Sequence, residues 1–283
     1  MKILLSGSHG LVGTALKKAL DSEGHTVIRL GRDFSKPIQF KDVDAVIHLA
    51  GENIAEGRWN EAKKERIKMS RLTGTRLLSE QLAASEYKPS VFISASATGF
   101  YGDTGSEVIT ESSPSGHGFL PEVCVEWEKS TAAAEQAGIR TVQIRTGIVL
   151  SKKGGALKKM LPPFLLGGGG ILGTGNQYMS WISLDDMVGA IQFISKQESL
   201  SGPVNLTAPN PVNNKEFTEI LGKVIKRPTI LPLPGFAAKI IFGEMADAIL
   251  LSGTQVIPEK LKNAGYIFKH AELKDALTDV MKG

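Results

Sequence analysis

Three glycines, Gly7, Gly10 and Gly13, stand in the segment SGSHGLVGTAL, directly after an apolar run. Glycines so spaced can make a tight turn, let backbone approach a pyrophosphate and pack a helix closely on a strand. The amides that open the next helix, those of Leu11 and Val12 included, would then offer unpaired N–H groups and partial positive charge to phosphates. That chemistry is dinucleotide binding; the competing reading is a Gly-rich turn that is structural only. At the end of the second apolar run, IRLGRD holds Arg29 and Arg32 and delays its acid to Asp33. An acid at that tip would hold a ribose 2′-hydroxyl, whereas the planar guanidinium of Arg32 suits a 2′-phosphate. NADP is therefore expected in preference to NAD; a solvated loop arginine is the alternative.

A second set of residues could border the same ligand. HLAGEN puts Leu49, Ala50 and Gly51 at a strand tip, where small residues let backbone reach the adenosine side or the pyrophosphate. Arg66 and Arg71, on one helical stretch, could face phosphates, or Arg66 could pair with a neighbouring glutamate. Ile148, in RTGIVL, should bring backbone toward the nicotinamide, because ligands gather at the carboxyl ends of strands. The single cysteine, Cys124 in FLPEVCVEWE, is flanked by Glu122, Glu126 and Glu128. It is either a buried small hydrophobe or, with Arg71 or Arg145 lowering its pKa, a reactive thiol. His117, on the loop before it, is a further candidate acid–base group by residue type.

The elements that would position these groups are legible from periodicity. Near-continuous apolar runs at residues 2–6, 25–30, 45–50, 91–97 and 140–150 alternate with helical stretches, as expected of a parallel sheet covered on both faces. The expected fold is α/β, a doubly wound parallel sheet of Rossmann type. After residue 150 the rhythm changes to Gly- and Pro-rich loop with one short helix. YMSWIS then reads as a short strand before a helix capped by Asp185. We expect residues 1–150, with 180–207 returning to them, to form the dinucleotide-binding unit. Residues 151–179 and 208–283 would form a smaller, mainly helical substrate lobe, with Asn176, Gln177, Tyr178 and Trp181 lining the cleft between them.

Composition narrows the classes. The chain has 283 residues, 42% hydrophobic and 22% charged, which is ordinary for a globular protein. One cysteine cannot form an internal disulfide, so nothing points to an oxidising compartment. The opening apolar run is too short for a signal-peptide core and no run reaches the ~20 residues of a membrane span, so a cytoplasmic protein without a membrane partner is expected. The net charge of +4 is scattered among acids, without the basic stripe a nucleic-acid partner needs. A small-molecule substrate and a monomer or homodimer are expected, and no metal is assigned.

Taken together, SGSHGLVGTAL, HLAGENI, RWNEAKKERIKMSR, SASATGFYGD, CVEWE, RTGIVL, GTGNQYMSWISLDDM and LKNAGYIF resemble the extended short-chain dehydrogenase/reductases related to nucleotide-sugar epimerases, and most closely their atypical epimerase-family branch. The resemblance implies a catalytic serine, which falls on Ser96, and a Tyr-x-x-x-Lys helix. Here the tyrosine position holds Leu120 and the lysine position Cys124, while the position of the usual asparagine holds Arg71. Leucine cannot transfer a proton, and cysteine lacks the lysine's permanent charge. Tyr101 is a candidate substitute for the missing tyrosine. What the resemblance implies is an NADP-binding, epimerase-like oxidoreductase acting on a small polar substrate, nucleotide-linked or free. The other reading is an NADP-bound sensor without turnover.

Overall fold

Runs such as KILLS and AVIHLA carry apolar side chains on both faces, which only a strand covered on both sides can bury. The computed structural model describes residues 1–31 and 33–282, and there these runs form the sheet at the centre of the molecule. The chain runs β1 (Lys2–Ser6), α1 (Leu11–Ser22), β2 (Thr26–Arg29), β3 (Ala45–His48), α2 (Glu61–Ala84), β4 (Val91–Ala97), a 3-10 turn over Thr98–Tyr101, β5 (Val108–Ile109), α3 (Phe119–Lys129), α4 (Ala132–Gln136) and β6 (Arg140–Thr146). It continues through β7 (Ile148–Leu150), α5 (Gly155–Leu165), β8 (Tyr178–Met179), β9 (Trp181–Ser183), α6 (Leu184–Lys196), β10 (Gly202–Leu206) and β11 (Val212–Asn213). The last elements are α7 (Asn214–Ile225), α8 (Gly235–Phe242), a wide π-type turn over Ala246–Leu250, β12 (Gln255–Val256), α9 (Glu259–Asn263) and α10 (Leu273–Lys282).

Six strands pair in the order β10-β6-β4-β3-β1-β2, every pairing parallel. Alternate strand residues feed two cores. Ile3, Leu5, Ile47 and Ile144 pack with Leu16 and Leu20 of α1 and Ile191 of α6, whereas Leu4, Val46 and Phe92 pack with Leu78 and Leu82 of α2 and Ala134 of α4. The fold is thus the expected doubly wound α/β sheet. From β1 the chain steps outward to β2 and then back across to β3, so strand order reverses at β1 and β3, the place where such sheets bind ligands.

A third core belongs to the later chain: Leu157, Leu161 and Phe164 of α5 pack with Phe217 and Leu221 of α7 and Leu273 and Leu277 of α10. Three local readings differ from expectation. The run 140–150 is two strands, because at Gly147 a side chain would stand 2.3 Å from the Ser180 carbonyl oxygen; the chain turns there, and β7 pairs with β9. Helix α6 is capped by Ser183, whose hydroxyl accepts the Asp186 N–H at 3.0 Å, and Asp185 lies in the first turn. Residues 261–268 return to the central sheet, where Leu261, Tyr266 and Phe268 join its core.

Candidate functional site

The cradle at the end of β1 separates three glycines that look alike in sequence. Gly7 sits at φ +69°, in the left-handed region, and a Cβ there would fall 2.6 Å from the Leu49 carbonyl carbon and 2.8 Å from the Ala50 nitrogen. At Gly13 a Cβ would stand 2.2 Å from the Gly7 carbonyl oxygen. Both positions are needed for β1, the β3 tip and α1 to meet. Gly10 is different: it is exposed, extended (φ −72°, ψ 172°), and its only neighbour within 4 Å of a Cβ is the Gly7 carbonyl oxygen at 3.3 Å. It is also the N-cap of α1, where no side chain caps the helix and no acid stands in the first turn. The amides of Leu11, Val12 and Gly13 therefore open a helix whose N-terminal field is uncompensated.

The β3 tip runs from the cradle to α2. Beyond Ala50, Gly51 lies against the Arg71 guanidinium, 3.6 Å from a built Cβ. Arg71 donates to the carbonyls of Ile67 at 3.0 Å and Glu52 at 3.1 Å and stacks on Trp127 at 5.0 Å. Burial lowers its pKa, against the opposing charge of Glu52. Arg66 is exposed and stands 4.0 Å from Glu52, which Lys63 already engages at 2.8 Å and holds below the ordinary carboxylate range. Arg71 thus reaches the cradle's neighbourhood through Gly51, while Arg66 points to solvent beside a glutamate. Arg32 lies outside the described residues.

The carboxyl end of β4 meets α3, and there the proton-transfer candidates are found tied to one another. Ser96 donates to Glu128 at 2.6 Å, and Arg145 of β6 grips the same carboxylate with two bonds of 2.8 Å. A third arm of Arg145 donates to the Tyr101 hydroxyl at 2.8 Å, which donates to Asn205 of β10 at 2.7 Å. Phe100 covers the guanidinium at 3.5 Å from its ring centre. Burial opposes the charge on Arg145, yet Glu128 prevails and holds its pKa above the usual arginine value. Tyr101 is 1% exposed, and burial raises its pKa despite Arg145. This corrects the expectation that Tyr101 stands in for the missing tyrosine, because its hydroxyl is spent inside the network. Ser96 is equally committed. The network was only half legible in sequence: a charged residue inside the apolar run TVQIRT demands a buried partner, but Asn205 comes from a strand far along the chain.

Cys124 lies beside this network on α3, 4% exposed, and burial, reinforced by Glu128 and opposed by Arg71, pushes its thiol up to about 12. It is a protonated small side chain at neutral pH. Leu120, one turn earlier, joins Ile54, Trp59, Ile67 and Phe119 beneath Phe242, Met245, Ala248 and Ile249. Residues 235–251 thus form a roof over the first turn of α3. The roof is fastened by Arg58, which donates to the Ile240 carbonyl at 2.6 Å, and by Lys64, 3.2 Å from Glu244.

The residues expected to line a substrate cleft do not converge. Trp181 is wholly buried in the α5–α7–α10 core, its Nε1 donating to the Asn210 carbonyl, because β9 turns it inward. The Gln177 amide bridges the carbonyls of Leu172 and Leu250, and Asn176 is exposed on the preceding turn. Ile148 pairs with Trp181 rather than extending the central sheet. Asp185, His270 and Asp279 cluster at the start of α6, and the Lys269 ammonium stands between the two carboxylates.

With this geometry in view, comparison with known proteins is informative. The profile of the NAD dependent epimerase/dehydratase family matches residues 3–206, and a domain of unknown function (DUF1731) matches residues 233–280, which include the roof. An epimerase family protein of Mycobacterium bovis is 45% identical over 97% of this chain and 96% of its own length. A chloroplastic epimerase family protein SDR39U1 homolog of Arabidopsis thaliana is 38% identical over 100% of this chain and 87% of its own. The crystal structure of the human epimerase family protein SDR39U1 with NADPH superposes with a TM-score of 0.94 at 30% identity, covering 100% of this chain and 99% of that one. Among the described residues no helix is long and apolar enough to cross a membrane.

Proposed function

Since the chain belongs to the NAD dependent epimerase/dehydratase family, we propose that it binds NADP(H) across the tips of β1 and β3 and exchanges hydride with a small substrate held beneath the roof. The observation that carries the cofactor half is the open cap of α1, where Gly10 leaves room beside uncompensated helix amides. The NADPH bound by the human relative supports the phosphorylated form of the cofactor. Arg32, three residues after the end of β2 in the sequence, is the residue we assign to the 2′-phosphate on its chemistry.

Hydride addition to a carbonyl requires one proton on oxygen. Leu120 cannot give it, so in this reading the proton comes from solvent or from His117, which is exposed on the loop entering α3. A second reading, an NADP(H)-bound sensor without turnover, is supported by the commitment of Ser96 and Tyr101 to the Glu128–Arg145 network and by the protonated Cys124. The single cysteine supports a reducing compartment, for which the cytoplasm is proposed; the chloroplastic relative makes the compartment a property of each chain. A monomer or homodimer is proposed.

The test has two steps. Nucleotide released from the purified protein is identified by mass, and NADPH and NADH are titrated against the stripped protein. Carbonyls and alcohols, sugars included, are then screened for cofactor absorbance change alongside thermal shift. A cofactor absorbance change, or conversion of the compound to a stereoisomer with the cofactor regenerated, supports the oxidoreductase, whereas a ligand that raises Tm with neither supports the sensor. Absence of NADP(H) affinity would defeat both readings.

A further inference from the structure

Two stretches of this chain contain no acid: Gln136 to Leu184 and Ile220 to Gly243. Within them stand the bases Lys158, Lys223, Lys226 and Arg227, all exposed, and among the described residues none of the four has a salt-bridge partner or a side-chain hydrogen bond. The same stretches carry the densest group of exposed large apolar side chains. Leu166 is 88% exposed, Ile230 76%, Phe236 and Ile240 each 70%, with Leu231 and Leu165 also in solvent. Apolar surface of this extent marks a contact face rather than random exposure.

Backbone pairing makes these residues neighbours. Leu231 donates its N–H to the Gly169 carbonyl at 3.4 Å, Leu233 to that of Ile171 at 2.9 Å, and Gly167 lies against Pro228. The end of α5 is therefore laid beside residues 228–233, and α8 follows directly after Pro234. On α5, Lys158, Pro162 and Leu165 recur at helical spacing on one exposed side, and on α8 Phe236 and Ile240 do the same with Lys239 beside them. Next to Ile230 is an open hollow of about 410 Å³ whose lining sets the three bases Lys223, Lys226 and Arg227 against one acid, Glu219, with Pro228 and Thr229 between.

We propose that this face docks on an anionic lipid surface, with Leu166, Ile230, Phe236 and Ile240 entering the headgroup boundary and the hollow receiving a phosphate headgroup. Unpaired cations around apolar tips match the charge and the polarity gradient of such a surface, since lysine stems lie along apolar matter while their ammonium groups stay at the phosphate level. A second copy fits worse, because a twofold contact centred on the patch would press the same four cations against one another. The chain would lie on the bilayer without crossing it, in keeping with the absence of a membrane-spanning helix among the described residues.

Sedimentation with vesicles of phosphatidylcholine alone, and with roughly a third phosphatidylserine, tests this. The full chain is expected to bind the acidic vesicles and to leave the neutral ones in solution at physiological salt. Each base near an anionic surface contributes about fivefold, so Lys223→Gln with Lys226→Gln and Arg227→Gln should lower partition by roughly a hundredfold. Phe236→Ser with Ile240→Ser should lower it about tenfold or more. All five positions are exposed, and an unchanged Tm will show that both variants are folded. The proposal is overturned by no binding to acidic vesicles, by equal binding to neutral ones, or by variants that bind like the parent. It is equally overturned if the parent dimerises in ultracentrifugation, the Phe236→Ser and Ile240→Ser variant is monomeric, and neither binds vesicles; a second copy would then cover the face.

Discussion

Replacing Gly10 by valine should separate binding from folding. The Gly10 backbone is already extended and any residue can adopt it; the added Cβ meets only the Gly7 carbonyl oxygen at 3.3 Å. Valine is a poorer N-cap than glycine, at a cost of about 1 kcal/mol, or a Tm lower by about 2–4 °C. The branched side chain would, however, fill the space in front of the α1 amides. Losing two charge-assisted bonds to a pyrophosphate, each worth about 1.5–3 kcal/mol, weakens NADPH by about a hundredfold to ten-thousandfold. Gly13→Ala gives the contrast: its Cβ would lie 2.2 Å from the Gly7 carbonyl oxygen, a collision of side chain with fixed backbone that should cost roughly 3 kcal/mol or more. Cofactor fluorescence titration and thermal unfolding read both quantities on the same samples. A Gly10→Val protein that binds NADPH within about threefold of the parent refutes the assignment of the pyrophosphate to this loop.

Cys124, with its pKa near 12, should alkylate in the native protein about a thousandfold more slowly at pH 7 than an ordinary thiol, and fully in denaturant; rapid native labelling at pH 6 contradicts this. Because the folded pKa is raised, the stability Cys124 confers is complete below the ordinary thiol value of 9.0 and is lost as pH climbs through about 12, whereas in Cys124→Ser that alkaline decline should be reduced. Arg145→Met leaves Glu128 and Tyr101 buried without their partner and should destabilise by about 3–5 kcal/mol in denaturant titration, and a change under 1 kcal/mol would be incompatible with a continuous network. Arg32→Ala should weaken NADPH about tenfold to a hundredfold and leave NADH unchanged; equal calorimetric affinities of the parent for both cofactors would dispose of the assignment.

Sequence reading succeeded where one local pattern has one structural solution. Strands buried on both faces read as unbroken apolar runs, and glycines between a strand and a helix read as a cradle. It could not tell Gly10, which leaves space, from Gly7 and Gly13, which permit contact, since all three are missing side chains and only the Leu49 and Gly7 backbones distinguish them. RTGIVL looked continuous because Gly147 is a breaker only where Ser180 approaches, and that approach depends on a distant strand. The segment GTGNQYMSWI suggests a cleft for Trp181 and Gln177, yet Gln177 is claimed by Leu250, 73 residues away. Tyr101 carried the look of a catalytic residue; what removed it was the pairing of β4, β6 and β10, which brings Arg145 and Asn205 to its hydroxyl.

The same pairing has a kinetic consequence. Ser96, Glu128, Arg145, Tyr101 and Asn205 lash three adjacent strand ends and one helix together with bonds sheltered from water, so this floor does not breathe easily. The roof rests on apolar contacts with Trp59, Ile67 and Leu120, and its polar fastenings, Arg58 to a carbonyl and Lys64 to Glu244, lie at its rim, where water and ions reach. For a substrate held as proposed, opening of the roof would cross a barrier with a Coulombic part that dissolved salt screens. Ionic strength would then act as a throttle on how long such a molecule stays, independent of how tightly the cradle holds its phosphates.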